Sequence, residues 1–195
     1  MKILFLGNSF TFYHDLPDMV AALLHAEVKG NLRGGAYLYQ HIDPVDELCA
    51  ITHKLLTEEN WDYVVLQDQS QGPITNPEEF NRAVAELSGM IHEAGGTPVL
   101  YETWAYEEGS DKLASTGMEF AEMQQKLTDG YRAAAEANQA LLAPVGQAFA
   151  AARATTQLYD AGDHYHPSSA GSRLAAETIA ATIRAKSAGK IDDLQ

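Results

Sequence analysis

The sequence predicts an α/β fold, a central parallel sheet sandwiched between two layers of helices. Three observations predict it. Short apolar runs rich in β-branched or aromatic residues recur along the chain, the pattern of strands covered on both faces. Between them lie longer segments whose apolar residues return every three or four positions, as on one face of a helix. The two kinds of segment alternate, and right-handed crossovers turn such an alternation into a parallel sheet with helices on each side.

The elements follow in order. Lys2 to Leu6 reads as the first strand, and Leu16, Val20, Leu23, Leu24 and Val28 mark a first helical stripe. The surroundings of Cys49, Glu47-Leu48-Cys49-Ala50-Ile51, read as a helix with the cysteine on its buried side. Tyr63 to Leu66 is the next strand. The best-defined helix carries Phe80, Val84, Leu87, Ile91 and Ala94, with Asn76 as N-cap, Pro77 in the first turn and Gly95-Gly96 as the stop. Pro98 to Tyr101 is a strand, Phe120, Met123, Leu127, Tyr131 and Ala134 form a stripe, and Leu141-Leu142 is a last short strand. A final stripe runs through Leu174, Thr178, Ile179 and Ile183, and the Ala-rich stretch 133 to 154 has helix-forming composition.

Length and composition bound the rest. The 195 residues are expected to form one domain, 1–195, with 46% hydrophobic and 21% charged residues and no repeat or linker to divide it. A formal net charge of −14 opposes phosphate backbones and anionic membrane surfaces, so neither nucleic acid nor membrane is expected as a partner. Cys49 is the single cysteine, which excludes an intrachain disulfide. Before Gly7 the chain has one lysine and only four consecutive apolar residues, far short of a signal peptide's apolar region or a membrane span. The expected compartment is the cytoplasm.

In a parallel sheet, ligands bind beyond the carboxyl ends of the strands. Three polar stretches lie there: Gly7-Asn8-Ser9-Phe10-Thr11, Gln67-Asp68-Gln69-Ser70-Gln71 and Glu102-Thr103-Trp104. Near the C-terminus stands Asp163-His164-Tyr165-His166-Pro167-Ser168. A serine hydroxyl is a weak nucleophile at neutral pH; it needs an imidazole to take its proton and an acid to hold that imidazole in the right tautomer. Ser9, His166 and Asp163 supply the three roles.

Blander readings stand beside this one. Ser9 or Thr11 could cap a helix, the glycine turn could cradle a phosphate through backbone amides, and Ser168 or Ser169 could simply start the last helix. On that reading the chain is a non-catalytic flavodoxin-like module binding a phosphate-containing ligand. Asp160, Asp163, His164 and His166 could also be a metal cluster, but no second His or Cys set completes a tetrahedral site, and no metal is expected. His25, His53 and His92 lie in helical segments; His14 and His41 follow the first two motifs and could line a cleft.

The order Gly-Asn-Ser9-Phe-Thr, Arg33-Gly34-Gly35-Ala36, Asp62 to Ser70 and Asp163-x-x-His166-Pro-x-x-x-Gly171 resembles the SGNH (GDSL-like) hydrolase superfamily of esterases and lipases. The resemblance spans nearly the whole chain. It implies a flavodoxin-like three-layer α/β/α sandwich with Ser9 as nucleophile and Asp163 and His166 completing a triad. It also implies an oxyanion hole made by the Ser9 amide, a glycine amide and a polar side chain. Two blocks depart from the pattern. Asn8 stands where the superfamily's name records Asp, and Gln67 to Gln71 stands where many relatives have Gly-x-Asn-Asp. A glutamine amide can donate the same hydrogen bond from a longer arm. Gln69 is the expected donor, with Gln71 and Gln67 behind it; Gly35 is preferred to Gly34.

The implied reaction is acyl transfer to water through an acyl-enzyme, with no cofactor. The aromatic residues Tyr13, Trp104, Tyr106, Tyr159 and Tyr165 lie on or near the loops around Ser9, and Trp104 and Tyr165 are expected to bind substrate. A small acyl group such as acetyl, carried on a polar alcohol or sugar, is the expected ester.

Overall fold

The strands form where side chains can be buried on both faces at once. In a computed structural model that describes residues 1–192, five strands make one parallel sheet. They are β1 (Lys2–Gly7), β2 (Glu27–Leu32), β3 (Tyr63–Leu66), β4 (Thr97–Tyr101) and β5 (Leu141–Ala143), in the spatial order β2-β1-β3-β4-β5. This is the doubly wound order of flavodoxin-like sheets, which reverses direction beside β1. The helices are α1 (Ser9–Phe12), α2 (Leu16–Leu24), α3 (Glu47–Glu58), α4 (Gly72–Thr75), α5 (Pro77–Glu93), α6 (Asp111–Ala114), α7 (Phe120–Ala137), α8 (Val145–Ala152) and α9 (Ser169–Asp192).

Alternate residues of each strand point to opposite faces, so one sheet supports two cores. Ile3, Phe5, Tyr63, Val65, Val99 and Tyr101 pack against Leu16 and Val20 of α2, Phe149 of α8 and Ile179 and Ile183 of α9. Leu4, Leu6, Val64, Leu66 and Leu100 pack against Leu56 of α3, Val84, Leu87 and Ile91 of α5 and Tyr131 of α7. Each such side chain, fully buried, contributes roughly 1.5–3 kcal/mol. The register pairs Leu6 with Leu66 and Gly7 with Leu32, which brings the carboxyl ends of β1, β2 and β3 level.

Two elements differ from the sequence expectation. The first helical stripe stops at Leu24, where His25 takes a left-handed φ of 50° and ends the helix; Val28 belongs to β2 instead. β2 is an edge strand with mostly exposed side chains, so it carries no apolar run to announce it. Asn76 does occupy the N-cap position of α5, but its side chain makes no capping hydrogen bond. Cys49 is buried on α3, as expected. Among the described residues no helix is long and apolar enough to cross a membrane.

Candidate active site

The site is assembled from three strand ends and the loop that precedes α9. Asn8, only 2% exposed, does most of the local work at β1. Its Oδ1 accepts the Phe10 N–H at 3.1 Å and so caps α1, which begins at Ser9. Its Nδ2 donates to the carbonyls of Ala36 at 2.8 Å and Asp68 at 3.3 Å, and its backbone N–H reaches Gln67 Oε1 at 3.1 Å. The serine turn is thereby tied to the loops after β2 and β3.

The second contribution comes from the loop before α9. Asp163 Oδ1 accepts the backbone N–H groups of Tyr165 and His166, at 3.1 and 2.9 Å, which curls the loop so that one carboxylate faces its own imidazole. Asp163 Oδ2 then accepts His166 Nδ1–H at 2.6 Å. With that proton committed, Nε2 is the acceptor, and the Ser9 hydroxyl lies 2.8 Å from it. Burial pushes the Asp163 carboxyl up, but the hydrogen bonds from the His166 ring and the two backbone amides outweigh it and hold it below the usual carboxylate range. His164, at a left-handed φ of 62°, turns away and places Nδ1 2.6 Å from Glu107, fixing the loop from outside.

Three aromatic rings enclose the imidazole. Tyr13 stacks on it at 4.3 Å and 19°, Tyr165 packs on it at 4.2 Å and 39°, and Phe10 meets it edge-on at 5.6 Å. A cavity of about 340 Å³ opens over Ser9 and His166, lined also by Phe12, Tyr13, Gly34, Gly35, Gln69, Ser70 and Tyr165. None of these carries a fixed charge.

Gly35 sits at φ 69°, a conformation that favours glycine, in a turn closed by Ala36 N–H to Arg33 O at 3.0 Å. Arg33 is in turn clamped by Asp46 through two bonds of 2.9 and 2.7 Å. The three glutamines separate by geometry. Gln67 is fully buried, with Oε1 accepting Asn8 N–H and the Thr11 hydroxyl. Gln71 donates Nε2 to the Tyr106 hydroxyl at 2.9 Å, away from the cavity. Gln69 alone of the three lines it. Its Oε1 accepts the Gln71 backbone N–H at 2.8 Å, which fixes the amide orientation, and one N–H of Nε2 is given to Ser70 Oγ at 3.0 Å. The second N–H of that amide has no protein acceptor among the described hydrogen bonds.

Several sequence expectations take a different place. Trp104 does not line the cavity: it is 0% exposed, stacked at 4.4 Å on Phe10 and at 4.0 Å on Phe149, with Nε1 donating to the Tyr165 carbonyl. Its loop turns the indole into the core, where it supports Phe10 and Tyr165 rather than meeting a substrate. Tyr106 and Tyr159 are buried too, while Tyr13 and Tyr165 line the cavity. His41 lies in the interior, bonded to Thr52, and His14 contacts the Pro167 carbonyl at 3.2 Å. Among the described residues no group of three or more His, Cys, Asp or Glu is placed to hold a metal ion. The sequence assigned no positioning role to Asn8 or Asp68. Asn8 had one signal, an Asn beside Ser at a strand-to-helix junction.

Comparison with known proteins agrees with the fold. No family model matches the chain, and no curated protein matches it. Among solved structures, one from Slackia heliotrinireducens, described as an SGNH hydrolase, shares 45% identity at a TM-score of 0.88, covering 94% of this chain and 98% of that one. A DUF4886 family protein from Bacteroides uniformis shares 21% identity at a TM-score of 0.70, over 91% of this chain and 80% of that one. An acetylxylan esterase from Geobacillus stearothermophilus shares 18% at 0.69, over 93% of each chain, a likeness of fold. The chain belongs to the SGNH hydrolase superfamily.

Proposed function

We propose that the chain is a serine esterase that removes a small, acetyl-like acyl group from a polar alcohol or sugar, with Ser9, His166 and Asp163 as its triad. The observation that carries this reading is the unbroken row from Asp163 Oδ2 through the imidazole to Ser9 Oγ, with separations of 2.6 and 2.8 Å, on the wall of the cavity. Ser9 Oγ attacks the ester carbonyl as His166 Nε2 takes its proton. Asp163 stabilises the imidazolium that forms and holds its tautomer. The oxyanion is received by the Ser9 and Gly35 amides and by the second N–H of Gln69. His166 then protonates the departing alcohol, and a water molecule repeats the sequence on the acyl-enzyme.

The uncharged, partly aromatic lining supports a neutral ester, and the cavity of about 340 Å³ is at the small end of ligand sites. Tyr13 and Tyr165 flank it where a sugar ring could stack. The test is turnover of p-nitrophenyl acetate and of O-acetylated sugars by the wild type and by Ser9→Ala. The expected fall in kcat is about 10⁴- to 10⁶-fold. Near-normal turnover in the variant removes Ser9 from its role.

A further inference from the structure

Asp68 is a buried acid that the reaction does not use. It is 2% exposed, and burial raises its carboxyl to about 6, opposed only by hydrogen bonds from the backbone N–H groups of Leu38 and Gln69. A charge held this way opposes folding at neutral pH, since its folded form ionises later than its unfolded one. A residue so costly calls for a geometric reason.

The contacts supply one. Asp68 Oδ1 accepts Leu38 N–H at 2.7 Å, at the far end of the loop that holds Gly34 and Gly35. Its carbonyl accepts Asn8 Nδ2 at 3.3 Å, and the same Nδ2 reaches Ala36 O at 2.8 Å. Its own N–H points to the Tyr131 hydroxyl at 3.3 Å. The next residue is Gln69. Gly72 is fitted to the carboxylate as well: a Cβ there would stand 1.9 Å from Oδ2. One residue thus fastens the glycine loop at Leu38, the serine turn at Asn8 and the amide at Gln69.

We propose that Asp68 is a positioning residue that sets the spacing between the glycine loop and Gln69, the two walls of the oxyanion hole. A charged acceptor serves where a neutral one would hold the Leu38 amide less tightly, because charge-assisted bonds are roughly twice as strong as neutral ones. The inference rests on the esterase reading above. Donors displaced by tenths of an ångström from a developing oxyanion lose much of their value, while ground-state binding is little touched.

The experiment compares steady-state kinetics of wild type, Asp68→Ala, Asp68→Asn and Gly72→Ala on p-nitrophenyl acetate, each at a temperature where circular dichroism shows it fully folded. Asp68→Ala is expected to lower kcat by about 10²-fold, the scale of one misplaced oxyanion donor, with KM within about threefold. Asp68→Asn, which keeps the shape and an acceptor for Leu38, should recover to within about tenfold of wild type. Gly72→Ala, which pushes the carboxylate aside while leaving it charged, should lower kcat in the same sense. If Asp68→Ala does not fold, Asp68→Asn and Gly72→Ala decide. Wild-type kcat in folded Asp68→Ala or Gly72→Ala, or a loss confined to KM, overturns the proposal. A wild type that neither turns over the ester nor reacts at Ser9 with a fluorophosphonate overturns the esterase reading instead, which keeps the two failures apart.

Discussion

Two neighbouring strands lead into a buried carboxylate, and the company each keeps is different. Asp68 lies just beyond β3 and Glu102 just beyond β4; they are 2% and 0% exposed, and burial raises both. Asp68 gives its lone pairs to backbone amides of loops that line or adjoin the cavity. Glu102 gives its lone pairs to side chains: Gln124 at 3.0 Å and Thr128 at 2.7 Å on α7, and Gln147 at 3.0 Å on α8. Side-chain donors fasten helices to the sheet, whereas backbone donors fix where a loop's own amides point. The same chemical group at the same edge of the sheet is architectural in one case and tied to the reaction in the other.

The largest effect that tests this contrast lies beside Asp68. Gln69→Ala should lower kcat by about 10²- to 10³-fold, typical of one oxyanion donor, with unfolding free energy nearly unchanged. Gln71→Ala is the control, since its amide points to Tyr106; if it shows the loss and Gln69→Ala does not, the two exchange roles. On the other side, Glu102→Ala strands three donors in the interior and should lower unfolding free energy by about 2–4 kcal/mol. Its kcat/KM should stay within about threefold of wild type, measured on the folded fraction. An activity loss as large as that of Gln69→Ala would erase the distinction between the two acids.

A smaller effect concerns pH. His41, 0% exposed and bonded through Nδ1 to Thr52 at 2.8 Å, is lowered by burial from about 6.5 to about 4. Its folded value lies below its unfolded one, so the stability it leaves intact above pH 6.5 is lost as pH falls toward 4. Between pH 8 and pH 5 this amounts to about 2 kcal/mol. Asp68 acts in the opposite direction over part of that window, since a raised acid favours the folded state as pH falls. The measurement is therefore a difference: wild-type stability minus that of His41→Asn, by urea unfolding at both pH values. A difference that does not change with pH would mean that His41 is not held neutral.

The sequence carried the parts of this architecture that rest on local pattern. β1, β3 and β4 are covered on both faces and so appear as apolar runs; β2 is an exposed edge, and Val28 fell four residues after Leu24 as though the helix continued through His25. Ser9, Asp163 and His166 were readable because each motif holds its partners within a few residues, and the structure brings the two motifs together across 157 positions. Trp104 was not, because spacing shows that a residue follows a strand but not that its ring turns inward between Phe10 and Phe149, from distant parts of the chain. The choice among glutamines needed the turn closed by Gly72 N–H on Gln69 O, which sends residues 69 and 71 in different directions. Asp68 was illegible for the same reason: its partners are backbone groups, which carry no sequence signature.

The central claim is that Ser9 is the group on which the acyl transfer takes place. Fluorophosphonate treatment of the folded protein followed by peptide mass mapping tests it most directly. The account predicts a single adduct on the peptide containing Ser9, absent when His166 is replaced by Ala or when a substrate ester is in excess. An unmodified Ser9, or an adduct on another residue in protein that still turns over ester, would contradict it.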